Sequence, residues 1–321
     1  MSKIFNVNAV CLPNKHYMVD LTERLKEIKV MVDRGDYFTI NRGRQYGKTT
    51  TLRALESYLK NDYIVVSLDF QGLSSATYES ETSFSIAFID SILDAVNENE
   101  IPASLYNKFL SYVDEPIPSI NLTGLFRLLK NWCKASDKPI VLMIDEVDAA
   151  SDHQIFLDFL AQLRIGFIKR DKTPTFQSVI LAGVHDIKHI KQKIRPETSH
   201  QTNSPWNVAA DFLVDMSFSP KDIAGMLQEY ENDHATGMDV EGIASLIYDY
   251  TSGYPFLVSR ICKLLDENLA HMFPDKASAW TRNGILVAVN SILFEKNTLF
   301  DSLIDKVESY PNLCKCSTSC L

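Results

Sequence analysis

No stretch of the 321-residue sequence approaches the ~18 uninterrupted apolar residues that a membrane-spanning helix needs. The opening residues, Met1-Ser2-Lys3-Ile4-Phe5-Asn6, lack the apolar block of a secretory leader. These two absences lead to the expectation of a cytoplasmic protein with no membrane partner. Glycine and proline number only 12 each, which excludes collagen-like and low-complexity chains. Positive charge is also short. Lys and Arg total 32 against 41 Asp and Glu, a net charge of −9. That balance argues against a broad nucleic-acid-binding face but leaves room for a local basic groove. The densest basic stretch is Lys188–Arg195 (KHIKQKIR), and a solvated helix face accounts for it equally well. Cysteines are few. Cys11, Cys133 and Cys262 stand singly, as reduced core thiols do, and Cys314, Cys316 and Cys320 crowd the last residues without the spacing or fourth ligand of a zinc site.

What is present is an ordinary globular composition, 45% hydrophobic and 23% charged. Five short apolar runs punctuate the first two thirds: Tyr37–Asn41, Tyr63–Asp69, Ile140–Asp145, Ser178–Gly183 and Phe212–Phe218. Runs of this length, rich in Val, Ile and Leu, suit strands buried on both faces. Amphipathic segments lie between them, at Thr49–Lys60, Ser83–Asn97, Leu122–Lys134 and Ile155–Ile168. This alternation predicts an α/β fold with a parallel five-stranded sheet covered on both faces. At Ser217–Asp222 the pattern turns helical. Ser219 followed by Pro220 reads as an N-cap and a first-turn proline, and Ala224, Met226, Leu227 and Tyr230 form one apolar stripe. Further helical segments are expected at Glu241–Tyr250 and Pro255–Leu269. The division expected is 1–218 for an α/β nucleotide-binding domain, 219–290 for a C-terminal helical lid, and 291–321 for an incomplete segment. In that last segment Leu299, Phe300, Leu303 and Ile304 begin a unit that the Cys-rich end leaves unfinished, as a truncation or frameshift would.

Two motifs carry chemistry. The first run leads directly into Arg42-Gly43-Arg44-Gln45-Tyr46-Gly47-Lys48-Thr49-Thr50 and then a helix. A strand, a turn and Gly-Lys-Thr opening a helix is the context of a P-loop. Backbone N–H groups over Gly43–Thr50 and the helix N-terminus would cradle phosphate oxygens. Lys48 would place its charge on the β- and γ-phosphates of ATP, and the Thr49 hydroxyl would ligate Mg²⁺. The usual pattern asks for glycine where Arg42 stands, with Gly43 one place late. The second motif is Ile140–Asp145 followed by Glu146, an apolar strand ending in Asp-Glu. Asp145 would hold Mg²⁺, and Glu146 would polarise the attacking water. A solvated acidic turn is the bland alternative for that triplet taken alone. The two motifs lie about a hundred residues apart, each at the carboxyl end of a predicted strand, where open parallel sheets bind ligands. The carboxylate directly after Asp145 favours ATP hydrolysis coupled to a conformational change.

The set NRGRQYGKTTTLRALE, YIVVSLDFQ, IVLMIDEVD, SVILAGVHDI, SPWNVAADFLVDMSFSP and TSGYPFLVSRICKLLDE resembles the bacterial AAA-ATPase-like proteins, relatives of signal-transduction and origin-recognition-type AAA+ ATPases. The resemblance spans residues 5 to 310, and the family shares the missing first glycine. It implies the strand order 5-1-4-3-2 and a lid closing over ATP. It also implies a Mg²⁺-dependent ATPase acting as a conformational switch or motor subunit, slow until an oligomer or protein effector assists. Lys48, Thr49, Asp145 and Glu146 inherit the roles given above. His185 or Asp186 would be the γ-phosphate sensor, or a strand-end turn. Ser252-Gly253-Tyr254-Pro255 resembles the lid motif in which the proline backbone lies near adenine, so Pro255 joins the nucleotide-binding set. Arg260 is a candidate second sensor, Arg164, Arg170 and Arg195 are candidate arginine fingers, and His16-Tyr17 could touch adenine or simply enter a core. Relatives often carry a PD-(D/E)xK-type nuclease domain, so the alternative reading is a nucleotide-binding scaffold of little turnover, remnant of an ATPase–nuclease protein.

Overall fold

The computed structural model describes residues 3–114, 119–184, 206–269 and 272–295. They fall into two units. A sheet unit holds 21–43 and 48–215, and a helical unit holds the described residues up to 20, the loop Arg44–Gly47, and those from 216 onward.

In the sheet unit four strands pair in parallel: β3 (Tyr37–Asn41), β4 (Ile64–Asp69), β5 (Ile140–Asp145) and β6 (Ser178–Gly183), in the order β3-β6-β5-β4. Every residue of β5 and β6 is buried, which is why both read as unbroken apolar runs. Helices α1 (Thr22–Asp33), α2 (Lys48–Leu59), α3 (Glu81–Ala95), α4 (Ala103–Asp114), α5 (Leu122–Ala135) and α6 (Gln154–Ile168) cover the sheet. Period-two alternation sends Ile64, Val66, Leu68, Ile140, Leu142, Ile144, Val179 and Leu181 into one core with α3, α5 and α6. Helix α2 packs on β4 and β5, and α1 packs on α2. Phenylalanines bind the layers: Phe159 of α6 lies 5.4 Å from Phe84, 5.1 Å from Phe88 and 5.5 Å from Phe126 between ring centroids. Local signals start the helices. Ser80 accepts a hydrogen bond from the Ser83 N–H at 3.0 Å to cap α3, and Asn121 accepts from the Gly124 N–H at 2.9 Å to cap α5.

The fifth strand is a correction. Among the described residues the sheet has four strands, and Phe212–Phe218 forms none of its ladder. The only described trace beside β3 is a single parallel bridge, Phe38 to Ala210. The alternation that suggested a strand is real, since Phe212, Val214 and Met216 are buried while Leu213 is 88% exposed. Two of its carbonyls, however, go to side chains: Val214 O accepts from the Arg42 guanidinium at 3.0 Å and Asp215 O from Arg24 Nε at 3.1 Å. A segment whose acceptors are taken by arginines does not build a backbone ladder. The other four strands keep the relative order that 5-1-4-3-2 requires of them.

In the helical unit, strands β1 (Ile4–Phe5) and β2 (His16–Tyr17) pair in parallel beside α7 (Pro220–His234), α8 (Val240–Thr251), α9 (Pro255–Lys263), α10 (Lys276–Ala279) and α11 (Arg282–Phe294). Ser219 caps α7 with a reciprocal box to Asp222, and Pro220 occupies the first turn, as the residues foretell. The apolar stripe Ala224, Met226, Leu227 and Tyr230 is buried. The expected third helix is shorter than Pro255–Leu269: a wider π turn over Leu264–Asn268 follows α9. The core is aromatic, with Phe5, Tyr17, Tyr230 and Trp280 in mutual contact. Tyr17 is therefore a core residue, its hydroxyl donating to Asp233 at 2.7 Å. No helix among the described residues is long and apolar enough to cross a membrane.

Candidate active site

Parallel pairing brings the carboxyl ends of β3, β6, β5 and β4 to one edge of the sheet, so the residues leaving each strand collect there. From β3 the chain enters Arg42, whose N–H donates to Gly183 O at 3.2 Å. The Arg42 guanidinium donates to its own neighbour Asn41 O at 2.9 Å and lies 5.5 Å from the centre of the Phe212 ring. Where a glycine was expected, an arginine thus anchors the root of the loop to the segment beside β3.

Helix α2 begins at Lys48, which is buried at 6% exposure. Its ammonium donates to the carbonyls of Arg42 and Gly43, both at 3.1 Å, so a buried cation is held at the root of the phosphate loop. Next in sequence, the Thr49 hydroxyl donates to Asp145 Oδ2 at 2.6 Å. Asp145, also 6% exposed, accepts the Glu146 N–H on Oδ1 at 2.9 Å. Four of the sequence-predicted residues, Lys48, Thr49, Asp145 and Glu146, therefore stand at neighbouring strand ends of one unit. Thr50 follows as the third residue of α2.

Glu146 adopts a left-handed backbone, φ 51° and ψ 41°. For a residue with a Cβ this costs about 1–2 kcal/mol. Its carboxyl holds its proton more tightly than usual. Burial is the main cause and Asp145 the next; Lys48 opposes, and Asp148 and Asp69 add to the rise. Asp69 was missed in the sequence. It ends β4 in direct register with Asp145 and accepts the Gln71 N–H at 2.8 Å. Only the strand pairing shows it, since no local pattern marks a lone Asp at a strand end.

The loop residues Arg44, Gln45, Tyr46 and Gly47 group with the helical unit. Gln45 and Gly47 both take positive φ, 56° and 78°, and the position a Cβ would occupy on Gly47 has no atom within 4 Å. That open, left-handed glycine fits close approach of a phosphate oxygen. The Tyr46 ring meets Tyr254 edge-on at 4.7 Å, and the Tyr254 hydroxyl donates to Arg44 O. Tyr254 caps α9, and Pro255 is its buried first residue. Gly253, φ 71°, has no room for a side chain, because a Cβ would fall on the Phe218 carbonyl.

The remaining candidates separate. Arg260 forms an ion pair with Glu295 at 2.6 Å. Arg170 lies 3.9 Å over the Phe167 ring and donates to Gly35 O at 2.9 Å. Arg164 has a buried Nε with no hydrogen-bond partner. His185, Asp186, the Lys188–Arg195 stretch, Leu299–Ile304 and the terminal cysteines lie outside the described residues.

The sequence profile of the AAA-like domain matches residues 9–280, and the chain belongs to that family of P-loop ATPases. No curated protein gives a match. Solved structures it resembles include the ORC1 protein of Aeropyrum pernix in complex with DNA, at 11% identity, covering 86% of this chain and 66% of that one with a TM-score of 0.46. CDC6P from Pyrobaculum aerophilum gives 15%, 85%, 66% and 0.46. The ORC2 protein of Aeropyrum pernix, in ADPNP–ADP complexes, gives 13%, 89%, 70% and 0.49. The chain spans just under two thirds of the length of the first two.

Proposed function

We propose that the chain is a Mg²⁺-dependent ATPase that works as a conformational switch or motor subunit. One observation carries this reading: the 2.6 Å hydrogen bond from Thr49 to Asp145, which joins residues 96 apart in sequence at the two strand ends where phosphate and metal chemistry are expected. Thr49 and Asp145 offer the hard oxygen donors that Mg²⁺ takes, and Gly43–Thr50 with Pro255 would hold the nucleotide. The Mg²⁺ that Thr49 and Asp145 would hold would supply charge neutralisation at the phosphates. Lys48 would exchange its two loop carbonyls for phosphate oxygens, keeping its charge beside them. Glu146 would orient the attacking water and accept its proton, a task its raised proton affinity suits. Residues 1–218 would carry the chemistry and 219–290 would act as the lid. A homo-oligomer or protein effector would supply the arginine for full turnover, in a soluble cytoplasmic setting.

The test is Mg²⁺-dependent ATP hydrolysis by the purified chain. Glu146→Gln is expected to lower turnover by about 10²–10⁴-fold while still binding ATP. Lys48→Ala is expected to abolish turnover and weaken binding. Turnover that survives both substitutions overturns the assignment. A second reading, a nucleotide-binding scaffold of little turnover, is favoured by the engagement of Arg170 and Arg260 in contacts within their own units. Under it, ATP binds but Glu146→Gln changes nothing.

A further inference from the structure

Glu146 sits in a backbone conformation that its own side chain disfavours, so something around it must hold it there. Three of the hydrogen bonds in its turn bear on this conformation. The Glu146 N–H goes to Asp145 Oδ1 at 2.9 Å, and the Ala149 N–H goes to Glu146 O at 3.1 Å. The third leaves the turn: Asp148 Oδ2 accepts the N–H of Val184, the first residue beyond β6. The first two bonds lie within the turn, whose start is fixed by the Thr49 hydroxyl on Asp145 Oδ2 at 2.6 Å and by the pairing of Asp145 with Asp69. The third ties it to a neighbouring strand that is itself locked in the ladder, with Val141 to Ile144 paired against Ser178 to Leu181. Val147 and Ala150, on either side of Asp148, are fully buried, so the turn also has apolar support.

We propose that Asp148 is the positioning residue of the site: by clasping the Val184 N–H it fastens the 145–150 turn to the exit of β6 and so holds Glu146 in its left-handed conformation. The proposal rests on the reading of Glu146 as the hydrolytic base for its consequence, but the clasp itself does not. Asp148 would act on Glu146 mainly through the backbone, its charge adding only a lesser part of the raised Glu146 proton affinity, behind burial and Asp145. The chemistry of the clasp requires an acceptor and no charge, because a neutral amide oxygen accepts the same N–H.

The experiment compares wild type, Asp148→Ala and Asp148→Asn in the full chain. It measures amide hydrogen exchange over peptides covering 145–150 and 178–184, steady-state kcat and KM, and nucleotide affinity. Asp148→Ala is expected to speed exchange at both segments and lower kcat by about 100-fold, the scale that a misplaced catalytic group produces. Nucleotide affinity and KM should stay within about twofold, since binding is uniform across the change. Asp148→Asn is expected to restore both protection and turnover. If Asp148→Ala leaves exchange unchanged, or if affinity falls in step with kcat, the clasp has no positioning role and the proposal is overturned. Should Asp148→Ala fail to fold, Asp148→Asn decides: loss of protection in that variant refutes an acceptor-only clasp, and retained protection with retained kcat supports it. A wild type without turnover would sink the ATPase reading alone, while the exchange measurements would still settle the clasp.

Discussion

The two units solve the same problem, burying aromatic rings, with different chemistry. Around α3, α5 and α6 five central rings are phenylalanines, Phe84, Phe88, Phe126, Phe156 and Phe159, which have nothing to hydrogen-bond, and Trp132 of α5 gives its indole N–H to the Glu100 carbonyl at 3.0 Å. In the helical unit three of the four buried rings, all but Phe5, carry polar tips, and these tips bond to side chains. The Tyr230 hydroxyl donates to Asp266 at 2.7 Å and receives the Trp280 indole N–H at 3.3 Å, while Tyr17 donates to Asp233 at 2.7 Å. Both tyrosines have their proton affinity raised, by burial first and then by those carboxylates. An oily core is specified by volume and is indifferent to which side chains supply it. A core with bonded tips also specifies orientation, because a buried donor or acceptor left alone costs more than the bond contributed.

That contrast can be broken by measurement. The largest effect belongs to the sheet unit: Phe159→Ala empties the centre of the ring cluster and is expected to cost about 3–5 kcal/mol in chemical denaturation. Tyr230→Phe keeps the ring and removes only oxygen, yet it strands the Trp280 N–H and takes a donor from Asp266. Its expected cost is about 1–3 kcal/mol. If Tyr230→Phe proves neutral, the polar tips are incidental and the two cores do not differ in kind. The smallest effect is a pH dependence at the end of α7. Burial alone would raise the Glu231 proton affinity, but bonds from the Thr236 hydroxyl and from the N–H groups of Gly237, Thr236 and Met238 outweigh it and lower the pKa. A folded pKa below the unfolded one gives stability that is present above the ordinary carboxylate range and lost as pH falls through the folded value. Wild type should therefore lead Glu231→Gln by a constant margin near neutrality, a margin that shrinks in acid. A margin independent of pH would count against the carboxylate.

Much of this was legible in the residues because the signals were local. Four strands and the start of α7 follow from apolar runs and from Ser219 standing before Pro220, and α5 starts at the expected Leu122, while α3 starts at Glu81, two residues before the expected Ser83. Lys48, Thr49, Asp145 and Glu146 follow from motifs at strand ends. What escaped was decided at long range. The Phe212–Phe218 run has a strand's alternation, and the Arg42 and Arg24 side chains that take its Val214 and Asp215 carbonyls come from distant parts of the sequence. Asp69 and Asp148 are single carboxylates with no pattern around them. Their roles come from the register of β4 on β5 and from the approach of the turn to Val184. The π turn after α9 is likewise invisible in a helical stripe that continues through it.

The two glycines of the loop and lid motifs age differently. At Gly253 a side chain would strike the Phe218 carbonyl, so the position is closed by architecture whether or not a nucleotide ever arrives. At Gly47 the space is open and only the left-handed backbone speaks for glycine. A lineage that stopped using ATP would be free to drift there to Asn or Asp, which tolerate that conformation, while position 253 stayed fixed. Gly253 is then held by packing and Gly47 by backbone conformation alone, so loss of nucleotide use would relax only the second.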